Sequence, residues 1–360
     1  MSKILFIAAH RLNRSPSQRF RFEQYFSFLK ANGFECHLSP LLDEINDKIF
    51  YSEENFFEKV SVVAKSFLRR RGDIAKAKEY DIIFIQREAF MTGTTFFERK
   101  LKETGKKIIF DFDDAIWLPN VSEGNKKFEW LKNPSKTSRL ISLSDLVVAG
   151  NNYLEDYAKK YNKNVWMIPT TIDTDYHRKK NLIKKDERIC IGWTGSHTTI
   201  QHFEYAIPAL QLLKEKFSNK IYFKVIGDSA YENRKIGIKG ISWKIENEIS
   251  ELSEIDIGIM PLPDTDWARG KCGLKALQYM ALEIPCVMSP VGVNSKIVSD
   301  SINGFLAKDE NEWVEKISLL IENPELRIKI GTAARKTVEG KYSVNSQKEN
   351  YLSALKSLLS

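Results

Sequence analysis

The chain has 360 residues, 55 Lys and Arg against 47 Asp and Glu for a formal net charge of +8, and 42% hydrophobic residues. That length suits two domains better than one core, and no apolar run approaches the ~20 residues of a membrane-spanning helix. Cys36, Cys190, Cys272 and Cys286 stand too far apart for a metal or pairing motif, and the basic excess lacks the patterns of nucleic-acid readers, so neither a metal nor a nucleic acid is an expected partner.

In chain order, KILFIAA (3–9) is apolar but short and lacks a small-residue cleavage pattern, so it reads as a first strand and places the protein in the cytoplasm. HRLNRSPSQRFRFEQYFSFLK follows, with Ser17 expected to cap a helix and Arg19 and Arg21 expected to project from its first turns. There they would grip an anionic acceptor, or Arg21 would pair with Glu23. Residues 51–80 form a helical pattern that gathers Phe56, Phe57, Val60, Val63, Ala64, Phe67 and Leu68 on one side and ends in Arg69, Arg70 and Arg71. Such a face either covers the first sheet or meets an anionic membrane.

Strand-like runs continue at IIFIQ (82–86), KIIFDF (107–112) and LVVAG (146–150). In FDFDDAIW (110–117) three carboxylates crowd a strand end, and the pleat predicts Asp111 and Asp113 on one face. There they would raise each other's proton affinity, bind sugar hydroxyls or share a cation. The polar stretch 169–187, which begins with Pro169 and carries a charge run, reads as a linker. Beyond it come RICIGW (188–193), the turn TGSHTT (194–199), a helix expected over 200–217, IYFKVIG (221–227) and IDIGIM (255–260). His197 and His202 read as surface or helix-cap residues. Apolar strands alternating with amphipathic helices predict an α/β chain of two doubly wound parallel-sheet domains, with ligands at the carboxyl ends of the strands.

Residues 267–290, WARGKCGLKALQYMALEIPCVMSP, read as a basic glycine loop, a helix starting near Leu274 and a short buried strand. Gly273 presents no side chain to an anion, and a helix start offers unpaired N–H groups and the positive end of its dipole. Arg269, Lys271 and Lys275 add three cations where helix starts usually carry Asp or Glu. The place suits a diphosphate.

The stretch GKCGLKALQYMALEIPCVMSPVGVN, with NGFLA at 303–307, resembles the donor-binding segment of family 4 glycosyltransferases, retaining enzymes of the GT-B fold. The family's two glutamates in this segment match Gly270 and Gln278. The resemblance implies two Rossmann-like domains facing a central cleft. Residues 1–170 would bind acceptor, 171–187 link, 188–340 bind a nucleotide diphosphate sugar, and 341–360 form a helix crossing back to the first domain. Donor contacts are then expected from Thr194, Gly195, Ser196, Trp243, Lys244, Arg269, Cys272, Gly273, Leu274 and Gln278, and acceptor contacts from His10, Arg11, Ser17, Arg19 and Asp111. Lys271 and Lys275 would stabilise the leaving diphosphate without a metal, and Asp113 or Asp114 would orient the acceptor hydroxyl. A saccharide or lipid-linked acceptor, a role in bacterial surface polysaccharide and a place at the inner face of an anionic membrane through residues 51–80 belong to the same expectation. Three alternatives stand beside it: a metal-dependent GT-A-like transferase using Asp111 and Asp113, a sugar-nucleotide epimerase, and a non-catalytic nucleotide-sugar binder, since Gly270 carries no carboxylate.

Overall fold

Strands that read as unbroken apolar runs are buried on both faces, which is the signature of parallel sheets clothed by helices, and the chain builds two such sheets. A computed structural model describes residues 1–52, 56–118, 133–180 and 186–359. Contacts divide it into one unit of Met1–Thr170 with Gln347–Ser360 and a second of Thr171–Ser346.

The first unit holds β1 (Ser2–Ala8), β2 (Phe34–Pro40), β3 (Ile82–Gln86), β4 (Lys107–Phe112), β5 (Leu146–Ala149) and β6 (Val165–Met167), all parallel, in the order β2-β1-β3-β4-β5-β6. The strand order reverses between β1 and β3, and ligands of such sheets sit outside the carboxyl ends at that point. His10 and Arg11 follow β1, Arg87 follows β3, and Asp113 and Asp114 follow β4. The helix Val344–Lys356 buries Tyr351, Leu352, Ala354 and Leu355, and Tyr351 stacks on Tyr25 at 4.4 Å.

The expected apolar cover over residues 51–80 is made only in part, by Phe67, whose ring stands 5.1 Å from Phe97 and 6.3 Å from Phe90. Helix Phe56–Lys76 buries Lys59, Val62, Ser66 and Arg70 and turns Phe56, Phe57, Val60 and Leu68 outward. Arg70 is no part of an exposed basic end: its guanidinium donates to the carbonyls of Ala8 (2.9 Å), Ala89 (2.6 Å) and Ser39 (3.2 Å) and to Asp73 (2.7 Å). Those bonds replace the water a buried cation loses. Residues 53–55 of this stretch lie outside the described residues. Among the described residues no helix is long and apolar enough to cross a membrane.

The second unit holds β7 (Ile189–Thr194), β8 (Ile221–Ile226), the hairpin β9 (Glu232–Asn233) and β10 (Ile238–Lys239), β11 (Ile257–Met260), β12 (Cys286–Met288) and β13 (Phe305–Leu306). Its main sheet is parallel in the order β13-β12-β11-β7-β8, reversing between β7 and β11. The single helix expected over 200–217 is broken into Ile200–Phe203 and Ile207–Phe217 by a tighter turn, Glu204–Ala206. Pro208 stands in the first turn of the second piece, where its missing N–H costs nothing. Residues 171–180 of the expected linker are fastened to this unit. Ile172 bridges to Ser343, and the Arg335 guanidinium donates to the carbonyls of Thr174 (2.9 Å), His177 (2.6 Å) and Ala281. Residues 181–185 lie outside the described residues.

Candidate functional site

In the second unit the glycine loop and the turn after β7 are tied together by one tyrosine. The N–H of Thr194 donates to Tyr279 Oη at 2.9 Å. The Tyr279 ring lies so close to Gly258 of β11 that a Cβ there would meet it at 2.5 Å. Helix Leu274–Ala281 is thereby held with its amino end at the carboxyl side of β7 and β11. Gly273 caps it in the left-handed region (φ 71°, ψ 14°), and a Cβ would stand 2.3 Å from Ile297 Cδ1. Only glycine combines that backbone with that contact, and the first N–H groups of the helix stay outside its hydrogen-bond ladder.

The turn after β7 is equally tight. Gly227 has φ 116°, and a Cβ on it would fall 1.8 Å from the Gly195 carbonyl oxygen. Ser196 and Thr199 close a reciprocal capping pair. His197 is a surface residue as expected, its Nδ1 2.9 Å from the buried Asp228 carboxylate, whereas His202 is buried and not at the surface. Lys275 Nζ lies 5.3 Å over the Trp193 ring and Lys271 Nζ 4.9 Å over that of Trp267, which orients both ammonium groups. Arg269, expected to add charge for a diphosphate, is instead braced by Asp264 at 2.8 and 3.1 Å, and it holds the Asp264 carboxyl below its ordinary value. Cys272 is buried with its Sγ toward the Gly270 carbonyl, and Leu274 is half-buried.

Gln278 is buried, and its amide donates to Glu248 at 3.3 Å. Trp243 Nε1 donates to the same carboxylate oxygen at 3.0 Å, while Lys244 remains exposed. Glu248, itself 3% exposed, therefore fixes two expected donor contacts. Sequence reasoning missed it because it is one of several acids in a charge-rich helix start.

In the first unit Arg87 organises the carboxylates. Its guanidinium donates to Asp113 at 2.7 Å and Asp114 at 2.5 Å, and Ser17 Oγ donates to Asp113 at 3.3 Å. Burial works against the Arg87 charge, yet the two carboxylates more than offset it and raise its pKa. Arg87 itself sits at φ 62°, an uncommon conformation outside glycine. Its only sequence signal is that it follows IIFIQ directly, as Asp113 follows KIIFDF.

Asp111 is corrected. It does not face an acceptor beside Asp113, because it is 0% exposed and bound by Arg21 through Nη2 at 2.5 Å and Nε at 3.1 Å. Arg21 also donates to the Ile168 carbonyl at 2.6 Å, which rules out the expected pairing with Glu23 and the expected grip on acceptor. Ser17 is corrected too: Ser15 occupies the cap position with Pro16 as the first helical residue, and the Ser17 hydroxyl reaches Asp113. Arg19 is buried with its guanidinium 5.0 Å over the Phe20 ring.

After β1, the His10 N–H donates to Gln18 Oε1 at 2.8 Å and its ring Nδ1 stands 3.3 Å from Asp47. Arg11 and Arg14 donate to the same aspartate at 3.2 and 2.6 Å. Burial would raise the Asp47 carboxyl, but His10 and Arg14 outweigh it and hold the group well below the usual carboxylate range. Among the described residues no three His, Cys, Asp or Glu side chains group as metal ligands, and Asp111 and Asp113 are separately neutralised by Arg21 and Arg87.

Residues 188–323 match the family described as glycosyl transferases group 1. A trehalose synthase from Pyrococcus horikoshii is 33% identical over 86 residues, a match covering 24% of this chain and only 21% of that protein. Solved structures match over the whole chain. Sucrose-phosphate synthase from Thermosynechococcus elongatus has a TM-score of 0.70 at 14% identity, covering 100% of both chains. Anabaena Alr3699/HepE in complex with UDP and glucose has a TM-score of 0.71 at 13% identity, covering 99% of this chain and 100% of that one. A glycosyltransferase from Rickettsia africae has a TM-score of 0.68 at 16% identity, covering 99% and 98%. Residues 188–323 thus resemble the glycosyl transferases group 1 family, and the chain has the fold of these solved structures, the two-unit GT-B fold.

Proposed function

We propose that the chain transfers a sugar, with retention of configuration, from a nucleotide diphosphate donor to a saccharide or lipid-linked acceptor. In this reading it works at the cytoplasmic face of the membrane in the making of a bacterial surface polysaccharide. The observation that carries the proposal is the amino end of helix Leu274–Ala281, capped by left-handed Gly273 and flanked by Lys271 and Lys275, within the stretch that matches group 1. Negative charge grows on the departing diphosphate, and preorganised N–H groups and cations stabilise it without reorganising during the step. Thr194, Gly195 and Ser196 leave room for close approach, and Trp243 with Gln278, both held by Glu248, receive the nucleoside. Asp113 and Asp114, fixed by Arg87, orient the acceptor hydroxyl for attack on the face the diphosphate leaves. No metal enters this scheme.

Melting the full chain with UDP, GDP, ADP, CMP or dTDP, each with magnesium or with chelator, tests the reading. One diphosphate at 100 times its Kd stabilises by about 2.7 kcal/mol, or roughly 5–11 °C for a domain of this size, and chelator leaves the shift unchanged. A shift that requires magnesium refutes the metal-free scheme, and no shift with any nucleotide refutes the donor site. Binding without transfer would identify a nucleotide-sugar binder, in keeping with Gly270.

A further inference from the structure

Helix Phe56–Lys76 seats Val62 and Phe67 on its own unit but leaves most of its large apolar side chains outside it. At about 100° per residue, its buried side carries Lys59, Val62, Ser66 and Arg70, and its outward arc carries Phe56, Phe57, Val60 and Leu68, with Phe67 of the same arc packed on Phe97. These four are 60%, 86%, 51% and 64% exposed. A stripe of large apolar side chains over several turns is a surface that awaits an occupant.

Charge selects the occupant. Arg71 falls within the apolar arc and Lys65 on the exposed side beyond Leu68, beside the exposed Glu58; neither cation has an ion-pair partner among the described residues. A second copy of the same face would set these cations against their own counterparts, which is unfavourable. An anionic lipid surface satisfies both halves of the pattern: acyl chains take the phenylalanines and leucine, and headgroup phosphates take Lys65 and Arg71. We propose that the outward face of Phe56–Lys76 docks the chain onto an anionic bilayer. The inference deepens the reading of a lipid-linked acceptor in the proposed function, since it places the first unit against the surface in which such an acceptor is anchored.

The test uses the full chain without nucleotide or acceptor, so it stands or falls separately from glycosyl transfer. Sedimentation with phosphatidylglycerol-containing vesicles is compared with pure phosphatidylcholine vesicles, at low and high salt. Binding is expected to the anionic vesicles and to weaken with salt. Lys65→Gln with Arg71→Gln is expected to reduce the partition coefficient about 30-fold, from about 1 kcal/mol per cation at the surface. Phe57→Ser with Leu68→Ser is expected to reduce it at least about tenfold. All four positions are exposed, so both variants should melt with the parent, and a melt confirms that loss of binding is not loss of fold. Equal binding to both vesicle types, binding indifferent to both double variants, or light scattering that shows a dimer dissolved by Phe57→Ser with Leu68→Ser would overturn the proposal.

Discussion

Asp111 and Asp113 lie two residues apart at one strand end, and the structure assigns them opposite kinds of work, which substitution to asparagine separates. Asp111 is 0% exposed and neutralises Arg21, which is 2% exposed and also donates to the Ile168 carbonyl. Asp111→Asn keeps the shape but leaves the guanidinium buried against an amide, and losing one partner of a buried pair costs about 3–5 kcal/mol. For a unit of this size that lowers the melting temperature by roughly 6–20 °C. Asp113 pairs with Arg87, whose side chain is 33% exposed and keeps Asp114 as a second partner. Solvent screening and the surviving carboxylate reduce the cost of Asp113→Asn to about 1 kcal/mol, while a misplaced acceptor hydroxyl lowers transfer on the order of 10²-fold. Circular-dichroism melts and donor turnover on both proteins give the comparison. If Asp111→Asn melts with the parent, or Asp113→Asn retains full transfer, the division of labour argued here is refuted.

Glu248→Gln replaces the carboxylate that receives Trp243 and Gln278. It is expected to weaken a nucleoside diphosphate about tenfold while leaving inorganic pyrophosphate affinity unchanged, read by titration calorimetry; equal losses for both ligands would refute a nucleoside-side role. At Asp47, the folded chain holds the carboxyl below its ordinary value, so near pH 4 and below the unfolded chain binds the proton more readily than the folded one. The stability from this site is therefore full above about pH 4 and lost as pH falls further. Asp47→Asn is expected to melt lower than the parent at pH 7, with the gap closing as pH falls from about 5 toward 2; a gap independent of pH would refute the ion-pair account.

The parts of this fold legible in the sequence are those whose cause is local. Strands β1, β3 and β4 announce themselves because both faces are buried and nearly every position is apolar, and β8 because buried residues alternate with half-buried Tyr222 and Lys224. Strand β2 does not, because Glu35, His37 and Ser39 stand along an edge that is mostly half-buried. The glycine loop at 270–273 was legible for the same reason, since a helix start, a missing side chain and nearby cations are all written within a few residues.

Charge neutralisation is not local, and there the sequence reading both overcounted and undercounted. Asp111 looked like a site residue because Arg21, its partner, is 90 positions away, and Arg70 looked exposed because the carbonyls that bury it belong to three other segments. Arg87 and Glu248 went unnoticed for the converse reason, as each is ordinary until its partners, 26 and 30 positions off, are folded beside it. Helix Phe56–Lys76 follows the same logic. Periodicity locates an apolar face on Phe56–Lys76, but whether that face turns inward depends on what the other face offers the core. Here Arg70 supplies hydrogen bonds to Ala8, Ser39 and Ala89 that no apolar residue replaces. With the polar face inside, Phe67 still packs on Phe97, but Phe56, Phe57, Val60 and Leu68 are left at the surface, an exposed apolar stripe that follows from a buried arginine.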